Sequence, residues 1–309
     1  MLDQITFLDR CRHAHLHPDF PRVELEQIFS TSDADDRLHP VQELVDFVLT
    51  YFRGLSELPE EIIDAIPGAL ILVEQCLRDL AHLQSEVDHA RLLALRGGLL
   101  QSQAYTGPLY LSNERLSEAA KCFEHAVTLL PSTGPPSALK RHFAWLAANI
   151  KVELQDDIES AGGLFGVALT GSTQWTSAGL YFQCATRLLR LDSYIINQVL
   201  RSVYPDLIKA WCEIPAVRYL DHRQKIKRID PPAGEPRITH DQMLSLDDDQ
   251  LLWFPHDRLG ICTLLYCACD DSKKRKLYKQ EALSLLSCFH QGDPQEFGRL
   301  GIIQHALED

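Results

Sequence analysis

The sequence predicts an all-α protein built from antiparallel helical hairpins, arranged as an α-solenoid or a helical bundle. Three observations predict it. Apolar residues recur at three- and four-residue spacings through most of the 309 positions, the period of an amphipathic helix. No series of β-branched runs alternates with these stretches, as a mixed sheet would require. In two places small and large side chains recur at matching offsets, as paired helices need when they nest closely.

Taken in order, "LDQITFLDRC" carries Leu2, Ile5, Phe7 and Leu8 and predicts a short helix. It stops before Pro18, because the residue ahead of a proline avoids the α region. Its continuation, "CRHAHLHPDF", raises the question of a metal site. A strand would align His13, His15 and His17, whereas a helix puts His13 and His17 on one face and turns His15 away. The spelling resembles the His-x-His of metal-dependent hydrolases, but that motif sits on a barrel strand, and no such barrel is expected here. Two imidazoles fall short of the three protein ligands that zinc usually takes, so these are read as polar helix-end histidines. Residues 28–40 form a surface loop, after which Pro40 opens a helix that ends at Gly54, with Val41, Leu44, Val45, Val48 and Phe52 on one face. "GALILVEQCLRDLAHLQSEVDHARLLALRGGLLQSQAY" reads as one long helix or two in sequence, with a break at Gly97-Gly98.

"LSEAAKCFEHAVTLLP" places Ala119, Phe123, Ala126 and Pro131 at offsets 0, 4, 7 and 12, and "IESAGGLFGVALTG" repeats Ala161, Phe165 and Ala168 at 0, 4 and 7. Trp145 stands 16 residues before Ala161, followed by Ala148 and Asn149, and Gly107 and Tyr110 precede Ala119. Over about residues 100–175 these spacings resemble the tetratricopeptide repeat. The resemblance implies that Trp145 is a first-helix aromatic, that Ala119 and Ala161 are the close-packing alanines of second helices, and that Pro131 is a terminating proline. There are departures. Pro108 interrupts the first helix of the first unit, Asn149 stands where the family has glycine, and the units lie 42 residues apart rather than about 34. A further candidate, "EALSLLSCFHQGDP", keeps only Ala282 and Pro294 in register.

Residues 214–260 break the pattern. They are rich in proline and charge and read as an irregular excursion, with a short helix after a capping box at Thr239 and Gln242. Asp247–Asp249 are an acidic cap for another short helix. The domain reading is therefore a hairpin array over 1–213, the excursion over 214–260, and a C-terminal helical hairpin over 261–309 packed on the same domain.

Charge and cysteine usage narrow the function classes. Residues 1–172 hold 25 acids and 13 bases, against 18 and 17 in the remainder, which makes nucleic-acid binding by the first half improbable. No apolar run approaches a membrane span, and the first residues lack the basic-then-apolar pattern of a signal peptide. Nine scattered cysteines suit free thiols in the cytoplasm or nucleus better than a disulfide framework. Cys262, Cys267 and Cys269 lack zinc-pair spacing and are read as buried thiols.

Asp156, Asp157 and Glu159 resemble the Asp-rich magnesium motif of helical terpenoid cyclases, yet no second metal motif follows, so an acidic helix cap is the preferred reading. No Gly-rich phosphate loop or nucleophile elbow is present. No metal or cofactor is implied. Two basic clusters, Arg223, Lys225, Lys227 and Arg228, then Lys273, Lys274, Arg275 and Lys276, are candidate patches for acidic partners, and the second resembles a nuclear import signal. The reading that follows is a binding scaffold rather than an enzyme. It takes a protein or peptide segment on a repeat surface, with Lys140, Arg141, Trp145, Asn149 and Lys151 facing the partner. The alternatives are a small-molecule or diphosphate-processing enzyme with a helical cavity, and a subunit of a larger assembly.

Overall fold

The computed structural model describes residues 60–79, 86–131, 133–134, 136–171, 179–214, 217–219, 226–228, 248–289 and 294–308. The expected helices over 2–11 and 40–54, the histidines of residues 13–17, the 28–40 loop and the Thr239 capping box lie outside these residues. The protein is all-α. Ten helices account for the regular structure among the described residues, apart from one two-stranded β-hairpin. None of these helices is long and apolar enough to cross a membrane. The chain divides into two units, Met1–Pro131 and Ser132–Asp309, so the division falls inside the array expected over 1–213.

In the first unit α1 (Glu60–Asp79), α2 (Glu86–Thr106) and α3 (Leu109–Leu129) pack consecutively. Gly97 and Gly98 lie inside α2 and do not break it. A helix absorbs an interior glycine when a neighbour needs the space. A Cβ on Gly97 would stand 3.0 Å from the Phe123 ring and 3.2 Å from the Ala119 carbonyl. Ala119, Phe123 and Ala126 form the buried face of α3. Gly107 and Pro108 make the tight connection, with Pro108 as the N-cap of α3. Tyr110 therefore lies on the same helix as Ala119, not on a preceding one, and is 83 % exposed. Arg96 ties the three helices together: its guanidinium donates to Glu74 of α1 at 3.1 Å, and to Glu118 and the Cys122 sulfur of α3.

The second unit comprises α4 (Ala138–Leu154), α5 (Ile158–Leu169), α6 (Leu180–Leu188), α7 (Ser193–Glu213), β1 (Val217–Tyr219), β2 (Ile226–Arg228), α8 (Asp248–Ala268), α9 (Ser272–Phe289) and α10 (Pro294–Glu308). The α4–α5 hairpin buries Ala161, Phe165 and Ala168 completely. Pro294 starts α10 rather than closing α9, so the third repeat candidate is not terminated by its proline.

Two features correct the expected excursion at 214–260. Val217 pairs with Arg228 and Tyr219 with Ile226 in an antiparallel ladder, too short for sequence alternation to register. The expected short helix after Asp247 is instead a helix of 21 residues, running through Pro255 to Ala268.

Helix α8 is the centre of this unit, packing on α6, α7, α9 and α10. Every residue from His256 to Tyr266 is buried, as expected of a helix surrounded on all sides. Its side chains also finish the ends of other helices. Asp257 accepts the Gly179, Tyr181 and Phe182 N–H groups at the start of α6, at 3.1, 2.8 and 3.4 Å. Arg258, fully enclosed, donates to the Trp211 and Ile214 carbonyls at the end of α7 and to Glu281 of α9. Buried helix ends need such partners.

Gly260 permits the contact of α8 with α6, since a Cβ there would lie 2.6 Å from the Phe182 nitrogen. Backbone cannot yield as a side-chain tip can. Gly260→Ala is therefore expected to cost roughly 1–3 kcal/mol, read as a lowered urea midpoint.

Burial pushes the Asp257 carboxyl up from 3.8 to about 7, against the opposing effect of its three N–H donors. The folded state thus holds this proton more tightly than the unfolded chain, and the contribution to stability present below pH 3.8 is lost as pH rises towards 7. Thermal melts across that window should show wild type losing stability relative to Asp257→Asn as pH rises. Parallel profiles would contradict this assignment.

Candidate functional site: a groove between α5 and α7

The groove begins with the turn that joins α4 to α5. Gln155 and Asp157 both adopt left-handed backbone, at φ 54° and 45°, reversing the chain within three residues. Asp157 caps α5, accepting the Ser160 N–H and the Lys151 ammonium, each at 3.3 Å. The Ser160 backbone bond first, and Lys151 second, hold its carboxyl below the usual range. The acidic stretch at 156–159 therefore has the role of a helix cap. Asp192 does the same for α7, accepting the Tyr194 N–H at 2.8 Å.

Helices α5 and α7 run in the same direction. Gly162 faces Ile195 and Val199 near their starts, and the N–H of Gly171, just beyond α5, donates to Asp206 further along α7 at 3.1 Å. Between them lies a cavity of about 510 Å³, whose lining includes Glu159, Gly163, Gly166, Tyr194, Gln198 and Ser202. Tyr194 stands at its edge, 72 % exposed.

The three glycines of α5 differ in kind. At Gly162 a Cβ would meet the Ile195 methyl at 2.8 Å, so helix packing explains it. At Gly163 and Gly166 a Cβ would meet nothing within 4 Å. Glycine in a helix interior costs about 0.5–1 kcal/mol relative to alanine. Nothing in the fold requires that cost at Gly163 or Gly166.

The residues expected to face a partner are placed otherwise. Lys140, Arg141, Trp145, Asn149 and Lys151 all lie on α4 and are all buried, between 1 and 9 % exposed. The repeat register located their helix but not what covers it. Arg141 donates to the Ala168 carbonyl at the end of α5 and to the Tyr181 hydroxyl, both at 2.9 Å. Lys151 is engaged with the Asp157 cap. Arg141 is thus a structural cation, and reversing its charge would test stability rather than binding.

Of the basic clusters, Arg223 and Lys225 lie outside the described residues, while Lys227 and Arg228 belong to β2. Lys273, Lys274, Arg275 and Lys276 are exposed on the first turns of α9, where Asp271 accepts the Lys273 and Lys274 N–H groups. Arg275 lies over the Tyr266 ring at 4.5 Å. Cys262 and Cys269 are buried thiols outside any disulfide, and Cys267 is half-buried. Among the described residues no group of three or more His, Cys, Asp or Glu side chains is arranged to hold a metal ion.

Comparison with protein-family models, curated proteins and solved structures finds no match. The groove is therefore interpreted from its own chemistry. Sequence reading passed over it because its walls come from two helices that are not consecutive. The available signal was "SAGGLFG", three glycines in an otherwise helical pattern.

Gly163→Ala and Gly166→Ala should each stabilise the protein by about 0.5–1 kcal/mol, seen as higher urea midpoints. A loss of stability in either would show that the fold itself needs the glycine.

Proposed function

We propose that the protein is a binding scaffold with a tetratricopeptide-like component, and that the α5–α7 groove receives a segment of a partner protein. The observation that carries this reading is the pair Gly163 and Gly166, helix-weakening residues that face open space in a cavity of about 510 Å³. A glycine floor lets another backbone approach closely, while on the opposite wall Gln198 offers an amide, Ser202, whose hydroxyl donates to the Val199 carbonyl at 2.7 Å, offers an acceptor, and Tyr194 offers an aromatic face. The repeat-like character of the α2–α3 and α4–α5 hairpins, each with an Ala-x3-Phe-x2-Ala face turned inward, supports the same class of function.

The enzyme reading has less support. The Asp157 carboxylate is engaged in capping α5, and the buried charges Arg141, Asp257 and Arg258 bind helix ends rather than a cavity.

The test is a photo-crosslinking amino acid at Tyr194 of the full chain, irradiated in native extract, with adducts mapped by mass spectrometry. One recurring partner peptide, lost when Gly163→Ala and Gly166→Ala are combined, is the expected result. Adducts that are absent or unchanged in the double variant would overturn the reading.

A further inference from the structure

The groove has a polarity that points to the chemistry of its occupant. Because α5 and α7 are parallel, both helices begin at the same end of the cavity. The segments 151–160 and 190–194, which lead into α5 and α7, carry five acids, Glu153, Asp156, Asp157, Glu159 and Asp192, against two bases, Lys151 and Arg190. Lys151 is held by Asp157. All five acids are exposed, and Glu159 lines the cavity itself.

The Asp157 and Asp192 carboxylates are partly offset by the helix N-termini they cap, but Asp156 and Glu159 add negative charge beyond that. Such a mouth repels phosphate and carboxylate groups and attracts an ammonium or guanidinium.

The rest of the lining says what conformation the cation arrives on. A helical segment satisfies its own N–H and C=O groups, and the side chains of Gln198 and Ser202 would have little to bind. An extended segment presents both groups to that wall, and it fits where the floor has no side chains at Gly163 and Gly166.

We infer that the groove takes an extended segment of another protein bearing a lysine or arginine, placed at the end where α5 and α7 begin. The inference rests on the groove reading above and adds the chemistry of the partner. Nucleic acid is disfavoured by the same charge.

The probes are three fluorescein-labelled nonapeptides of alternating glycine and alanine, with arginine, norleucine or glutamate at the central position. Anisotropy titrations use the full chain. The arginine peptide is expected to bind most tightly, more weakly at 500 mM than at 50 mM salt, and about tenfold more weakly to the double variant Asp156→Lys, Glu159→Lys. Gly166→Trp, which fills the cavity, should abolish binding, and Tyr194→Ala provides a second variant should the tryptophan disturb folding.

If all three peptides bind alike and Gly166→Trp abolishes each, the groove reading survives and the charge inference fails. Binding of the arginine peptide that is indifferent to both Gly166→Trp and Tyr194→Ala overturns the inference, because the site is then elsewhere. Binding by none of the peptides also overturns it. So does wild-type self-association in sedimentation that Gly166→Trp removes, since a second copy then fills the groove.

Discussion

The unit formed by residues 132–309 depends on one constraint: helix ends that finish inside a protein must find hydrogen-bond partners there. Three residues of α8 meet most of that requirement. Asp257 closes the start of α6, Arg258 closes the end of α7 and reaches Glu281 of α9, and Gly260 lets α6 come close enough for the first of these bonds. Arg141 serves the end of α5 in the same way, and Asp206 receives the Gly171 N–H just beyond it. Burying a guanidinium or a carboxylate is costly unless it is paired. Here Arg141 and Arg258 are offset by carbonyls that would otherwise be stranded, and Arg258 by Glu281 as well, while the three N–H groups on Asp257 offset its burial only in part. An apolar residue could match the packing at Arg258, but it could not bind the Trp211 and Ile214 carbonyls.

This arrangement also accounts for the groove. Capping by distant side chains fixes where each helix ends and which neighbour it joins. In particular, α7 lies alongside α5 in parallel although α6 separates them in sequence. Ile195 and Val199 bring the helices together at Gly162. At Gly163 and Gly166 no atom of the fold approaches within 4 Å of where a Cβ would stand, and both residues line the cavity beside that contact. The buried charges hold the walls in place, while the polar groups Glu159, Tyr194, Gln198 and Ser202 line the groove and are exposed.

Local pattern carried far in this chain. Helical periodicity established the all-α class, and the Ala-x3-Phe-x2-Ala offsets identified the buried faces of α3 and α5, because a one-sided apolar stripe is a property of consecutive residues. The Asp157 cap was legible for the same reason. Three-dimensional neighbours were not. Arg141, Lys151 and their companions on α4 had the composition of a binding face, and only the tertiary structure shows them all covered, with Arg141 and Lys151 engaged at the two ends of α5. Gly97-Gly98 had the spelling of a break, and only the Phe123 ring packed against Gly97 explains why the helix continues. The pair Asp257-Arg258 lay at the edge of a stretch rich in proline and charge, where nothing local distinguished it from a solvated loop. The sequence by itself determined the all-α class and the apolar faces of α3 and α5, since those follow from bonds and contacts within a few residues. The tertiary structure alone decided which charges are buried and where a groove opens, since both depend on helices brought together from distant parts of the chain.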